Sequence, residues 1–398
     1  MFGSRKCTYL IFSLRPGLCS FPARVIFVLN QGEKVLTKKF VLPSVVVFSW
    51  LLATTGRLGW HGDVYGFNFA IFQPDGIYYA FKSLLFLGIE PNEGAVRVSK
   101  WFTLYSGTGN TYDPDYFLST WSTYPSERIL YSLLSTPFIL VIGLNGMLVI
   151  PIVSFLILLL NIYLLGKQLD QPYLGLGLAM LVSFSPTVTR WMISSTPDSL
   201  LVGLISFFPL LYLNKKIKNK SIFMLMLVIG CSLTRFSLPI FILIAMIFFL
   251  HKKYRLAIII FLSSLILSIP AMMHINTGFL PRNNGGMLDK IISLPFTFIK
   301  VGFVEVAQLA VLDRVLLSII FTAFAMALKF RRSLSSNFFF AIILAVWSLG
   351  ALNGSLGVNF RYQLPLIIFC CWVIFESSPR LFTTASTHIK IKEIKEEL

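Results

Sequence analysis

Apolar residues run along this chain in long unbroken stretches, not in alternation with polar ones. Stretches near 20 residues cross a bilayer as helices, because lipid offers the backbone no partners and a helix supplies its own. A membrane barrel needs alternation over about ten residues per strand, which these runs lack. The pattern predicts an all-α, polytopic transmembrane helical bundle of about ten spans. They are expected over 40–55, 146–166, 172–186, 198–213, 221–234, 237–250, 255–273, 313–329, 336–352 and 361–377. Ser232, Thr234, Arg235, Ser237 and Pro239 interrupt the apolar run 221–250 and predict a tight hairpin there.

One apolar stretch is too short to join that series. Ile129–Ile142 is about 14 residues long, contains Pro137 and is followed by Gly143, Asn145 and Gly146. Segments of this length lie on the membrane or dip into it. A long external first loop, 56–145, is therefore expected between spans one and two. Within it, Ile77, Ala80, Phe81, Leu84 and Leu85 recur at helical spacing and predict an amphipathic interfacial helix over Asp75–Leu87. Glu93–Phe102 is a second such helix. Their apolar faces fit the membrane surface or the ends of the spans.

Charge orients the bundle. Charged residues are 13% of the chain, about half the usual share. The net charge of +17 does not point to nucleic acid, for which no module is visible. With the N-terminus inside, the cytoplasmic segments hold 22 Lys/Arg against 6 Asp/Glu. The external segments hold 12 against 11. This is the positive-inside distribution, with both termini cytoplasmic. The organisation expected is a basic segment 1–39, a transmembrane domain 40–378 and a cytoplasmic tail 379–398. Residues 1–39 show no cleavage site after a proper apolar core, so a signal peptide is not expected. The five cysteines and four histidines suggest neither disulfides nor a metal site, and no nucleotide fingerprint is present.

Candidate chemistry concentrates in the first loop, which holds seven of the seventeen acidic residues. Asp75, after Pro74, suits a helix cap; Asp63 and Asp113-Pro114-Asp115 suit turns; Asp198 suits the cap of a span. Arg235 and Arg361 stand at the external membrane boundary, where they either snorkel to head groups or bind an anion.

The order of several motifs adds a second line. Pro74-Asp75-Gly76-Ile77-Tyr78-Tyr79 opens the first-loop helix, and Tyr124-Pro125 leads into the stretch ending at Gly143. Tyr163-Leu164-Leu165-Gly166-Lys167, Ser185-Pro186, Thr196-Pro197-Asp198, Leu233-Thr234-Arg235 and Arg361-Tyr362-Gln363-Leu364-Pro365 follow. Taken in order over about 40–376, this set resembles the GT-C integral-membrane glycosyltransferases, and within them the bacterial members that use polyprenyl-phosphate sugars. Many of those carry two adjacent acidic residues where this chain has Asp75-Gly76, so Asp63 is the alternative source of a second carboxylate.

The resemblance implies a multi-pass protein of the bacterial inner membrane. It would move a sugar, with inversion, from a polyprenyl-phosphate-linked donor to an external glycan, lipid or protein acceptor. Asp75, or else Asp63, would be the base; Arg361, Arg235, Lys82 and Arg190 would hold the donor phosphate; Tyr78, Tyr79 and Asp198 would touch substrate. A divalent cation is the one cofactor it leaves room for. Two other classes stay open: a lipid-linked polysaccharide polymerase or ligase, and a transporter or flippase without covalent chemistry.

Overall fold

The computed structural model describes residues 34–59, 74–105, 113–121, 128–274, 287–352 and 361–379. Most of the basic N-terminal segment, Asp63, Tyr124-Pro125 and the C-terminal tail beyond 379 lie outside the described residues. The chain divides into two units, Met1–Phe40 and Val41–Leu398. Of the first, only the opening of a helix is described; everything below concerns the second.

Every regular element among the described residues is helical. In chain order they are α1 (Lys34–Gly59), α2 (Pro74–Phe86), α3 (Pro91–Tyr105), α4 (Pro114–Trp121), α5 (Leu130–Ile142), α6 (Val149–Gln168), α7 (Pro172–Ser183), α8 (Pro186–Met192), α9 (Asp198–Ile205), α10 (Phe207–Leu213), α11 (Lys220–Thr234), α12 (Leu238–Leu250), α13 (Tyr254–His274), α14 (Met287–Leu312), α15 (Arg314–Lys329) and α16 (Leu334–Leu352). A last helix, α17, covers Leu366–Pro379. Helices α2, α3, α4, α7 and α8 each begin on proline, whose fixed φ and missing N–H suit the first helical position.

Four helical stretches are long and apolar enough to cross a membrane: Val41–Leu58, Leu130–Gln168, Pro295–Leu312 and Leu334–Ala351. The α7–α8 pair, bent by 74°, makes a fifth if counted as one span. These mark the chain as a helical membrane protein. The remaining apolar helices are shorter.

The stretch Leu130–Gln168 is apolar through 39 residues yet is not one rod. Gly143 takes φ +65°, and a 3-10 turn follows over Gly143–Leu148. A Cβ on Gly146 would lie 2.6 Å from the Phe138 carbonyl oxygen, so the chain doubles back against the end of α5. The expected span 198–213 forms one apolar helix: Ser206 keeps helical backbone between α9 and α10, and its hydroxyl accepts from Asn161 of α6 at 2.7 Å. The span 361–377 begins as a turn, with the helix starting at Leu366.

Two apolar cores result. The larger joins α1 to α6 through α17. In lipid such helices are held by close packing, not by exclusion of water, and small residues permit it. A Cβ on Gly166 of α6 would lie 2.7 Å from the Cα of Gly175 on α7. The smaller core joins α2, α3, α4, α5 and the 3-10 turn, with Leu200 of α9 reaching into it.

Contacts between turns sort the helix ends into two groups. In one group, Lys253 donates to the Tyr212 hydroxyl at 2.7 Å and Lys220 to the Tyr212 carbonyl at 2.6 Å. Asn337 bonds His251 at 3.2 Å, and Gln171 donates to the Phe375 carbonyl at 2.5 Å. Trp372 links these turns, stacking on Phe338 at 5.4 Å and lying 6.1 Å from the Tyr212 ring. The other group surrounds the N-termini of α2, α8, α9 and α15.

Candidate functional site

Four charged side chains from four separate segments meet at that second group. Asp198 opens α9, following a turn through Ser194, Ser195 and Thr196. Its buried carboxylate takes Arg361 Nε on one oxygen at 2.6 Å and Arg235 on the other. Arg361 carries on with Nη2, 2.6 Å from Asp75 Oδ2. The result is a chain Asp75–Arg361–Asp198–Arg235.

Local sequence explains each placement. Arg235 has extended backbone between α11 and α12, where Ser237 and Pro239 end one helix and start the next. Asp75 and Asp198 each occupy the first turn of a helix, where the helix dipole favours negative charge. Asp198 nevertheless directs both oxygens at guanidinium groups. Gly76 sets the spacing between the two carboxylates: a Cβ there would lie 2.7 Å from the Ser195 carbonyl oxygen. The adjacent acidic pair of the resembled family has no room at this position, since α2 rests directly on the turn that leads to Asp198.

Aromatic rings back the cations. The indole of Trp191 lies 5.4 Å from Arg361 and 4.9 Å from Arg190, and Tyr362 lies 4.5 Å from Arg235. A ring face attracts a cation, most strongly where water is excluded. Arg128 acts electrostatically on both Asp75 and Arg235, and Arg57 on Arg190. The site is therefore rich in guanidinium groups, the side chain best shaped for phosphate oxygens.

Exposure divides the cluster. The Asp198 and Arg361 side chains are 4% and 10% exposed, whereas that of Asp75 is 41% exposed. Asp75 is thus the member that an incoming molecule reaches. Burial by itself raises its pKa; Arg361, with Arg235 and Arg128 behind it, outweighs that and holds the carboxyl below its ordinary value.

The other expected site residues are not members of that chain of four, although Tyr79 acts electrostatically on Arg235. Tyr78 and Tyr79 pack in the smaller core, Tyr78 against Phe117 at 5.1 Å and Tyr79 edge-on to Tyr131 at 5.5 Å. Lys82 is two turns beyond Asp75, roughly 10 Å along α2. Arg190 flanks Trp191 at the end of α8. Asp63 is outside the described residues. Sequence reasoning missed Trp191, Arg128 and the role of Gly76. The adjacent Arg190-Trp191 pair at a membrane boundary was a usable signal for the first, and nothing local pointed to the others.

Among the described residues, no group of three His, Cys, Asp or Glu side chains could hold a metal ion. The two carboxylates present are engaged by guanidinium groups, a donor set that does not fit a divalent cation. No family model, curated protein or solved structure matches the chain.

Proposed function

We propose that this chain is an integral-membrane glycosyltransferase, moving a sugar from a polyprenyl-phosphate donor to an acceptor on the external face with inversion. The observation that carries it is Arg361, held at 2.6 Å between the reachable carboxylate of Asp75 and the buried one of Asp198. A base and a phosphate-binding cation must work within hydrogen-bonding reach of the same reacting atoms. Here they are already in contact. Asp75 occupies a guanidinium face of Arg361 that equally suits a phosphate oxygen. Donor phosphate arriving at Arg361 and Arg235 displaces Asp75, whose pKa then rises toward that of a working base.

The acceptor hydroxyl oxygen bonds to the anomeric carbon and gives its proton to Asp75. The bond from that carbon to the phosphate oxygen breaks, leaving its electron pair on the phosphate between Arg361 and Arg235. A single displacement inverts the anomeric centre. The acceptor is a glycan, lipid or protein of the bacterial envelope, and the protein resides in the inner membrane.

The topology proposed with this function has ten crossings: α1, α6, α7, α9 with α10, α11, α12, α13, α15, α16 and α17. Both termini are cytoplasmic. Its support is the sorting of helix ends by contact. Lys167, Lys215, Lys216, Lys252 and Lys253 all belong to the end tied together by Tyr212, His251 and Trp372, as inward-facing basic loops require.

The test uses protein reconstituted in liposomes with a labelled polyprenyl-phosphate sugar. Sugar transfer that disappears in Asp75→Asn, at normal folded yield, supports the assignment. Undiminished transfer in that variant sinks it. Movement of labelled donor across the bilayer without any product identifies a flippase instead.

A further inference from the structure

We infer that α14 does not cross the membrane but lies in the external leaflet as a lateral helix, its outward face of Phe296, Ile299, Phe303 and Val311 immersed in lipid. By length and composition Pro295–Leu312 qualifies as a span. The contacts of its neighbours exclude that. Asn337 bonds His251 at 3.2 Å, so the α12–α13 turn and the α15–α16 turn share one face of the membrane. An even number of crossings must therefore separate them. Helix α13 leaves that face packed antiparallel along α12, toward the end where α12 starts beside Arg235. Helix α15 returns from that same end. Asp313, between α14 and α15, accepts from the Ser185 hydroxyl and from Thr187 N at 3.0 Å, beside the start of α8. Those two crossings fill the count. A crossing α14 would be a third and would require a fourth, which the short polar linking sequence 275–286, with Asn276, Arg282, Asn283 and Asn284, cannot supply.

The faces of α14 agree. Phe298 packs 5.4 Å from Trp347, and a Cβ on Gly302 would lie 3.1 Å from the same indole. Glu305 and Leu309 are buried on this inner face. The outer stripe is inverted relative to a helix in water: Phe296 is 79% exposed, Phe303 74% and Val311 73%. Lys300 is the one charged side chain on the described part of that stripe, and its long stem lets the ammonium reach the head groups. An exposed apolar face backed by a buried carboxylate matches hydrocarbon, not water, as its partner.

This depends on the proposed crossings of α13 and α15 and not on the transfer chemistry. The test places nitroxide labels at Phe296→Cys, Phe303→Cys and Val311→Cys in liposome-reconstituted protein whose native cysteines are replaced. A lateral helix puts all three labels at similar depths in lipid. A crossing helix spreads the first and last by about 22 Å, which overturns the inference, as does water exposure of all three or the spin–spin coupling of a second copy. Impermeant maleimide on Lys290→Cys, Arg314→Cys and Lys252→Cys separates the causes of failure. The first two are expected to label from one side and the third from the other. Lys252 labelling with Arg314 would refute the proposed even pair of crossings; Lys290 labelling with Lys252 and apart from Arg314 would overturn the lateral helix and make α14 the crossing in place of α13.

Discussion

Two buried aspartates at helix starts behave in opposite ways. Asp313 gives one oxygen to Leu316 N at 2.9 Å and the other to Thr187 N at 3.0 Å and the Ser185 hydroxyl. It caps α15 and holds the start of α8 through two backbone N–H groups and one short hydroxyl side chain. Asp198 is the first residue of its helix, one position further in, and binds two guanidinium groups on long side chains from distant segments. Capping N–H groups are fixed within the fold, whereas guanidinium groups on long side chains can turn to a ligand. A carboxylate satisfied by backbone is a staple, whereas one satisfied by arginines, with a reachable second carboxylate beside it, is a site able to trade partners.

The largest effect expected from breaking this contrast is on chemistry. Asp75→Asn keeps the shape but removes the base, and transfer should fall on the order of 10²–10⁴-fold with melting little changed. Asp198→Ala should instead attack stability. It leaves Arg235 and Arg361 buried without their shared counter-charge, at a cost of about 3–5 kcal/mol measured by denaturation in detergent. Asp313→Ala removes caps from two helices, about 1 kcal/mol for each, and the protein that remains folded should transfer sugar normally. If Asp313→Ala abolished transfer at unchanged stability, the division between staple and site would be wrong.

A smaller effect is expected from geometry alone. Gly76→Ala places a methyl group 2.7 Å from the Ser195 carbonyl oxygen. Helix α2 must then move away, taking Asp75 off Arg361. A displacement near 1 Å lowers a positioned reaction by about 10²-fold. Unaltered transfer in this variant would show that the contact between α2 and the Ser195 turn is dispensable.

The sequence pattern showed some of this and concealed the rest for physical reasons. Apolar runs and their prolines exposed the helices, and the weakness of Ile129–Ile142 as a span follows from its length, Pro137 and the glycines after it. The bond from Asn161 to Ser206 was hidden, because its two ends lie on different helices 45 residues apart. Within the site, Asp75, Asp198, Arg235 and Arg361 were each visible singly, as polar groups at membrane boundaries. Their meeting was not: Asp198 and Arg361 are 163 residues apart, and Asp198 alone looks like a cap. Gly76 looked like the loss of a catalytic acid, until its contact with Ser195 gave it a steric purpose.

The subtlest way to sharpen the contrast is through pH. Asp75 is held below its ordinary pKa because Arg361, Arg235 and Arg128 together outweigh the opposing effect of burial. A depressed carboxyl contributes stability above its unfolded pKa, and that contribution is lost only as pH falls through the lower folded value. The Asp75–Arg361 pair should therefore survive into more acidic solution than an ordinary carboxylate would allow. Arg361→Gln removes the largest opposing charge and leaves burial in place. The Asp75 carboxyl should then titrate at higher pH than in the native chain, which pH-dependent carbodiimide labelling of Asp75, followed by mass spectrometry, can measure without any donor. Arg314→Gln, on the exposed start of α15, should leave the titration where it was. Identical titration of Asp75 in the native protein and in Arg361→Gln would mean that the pair does not hold in the membrane, and would remove the reason for treating Asp75 differently from the stapled Asp313.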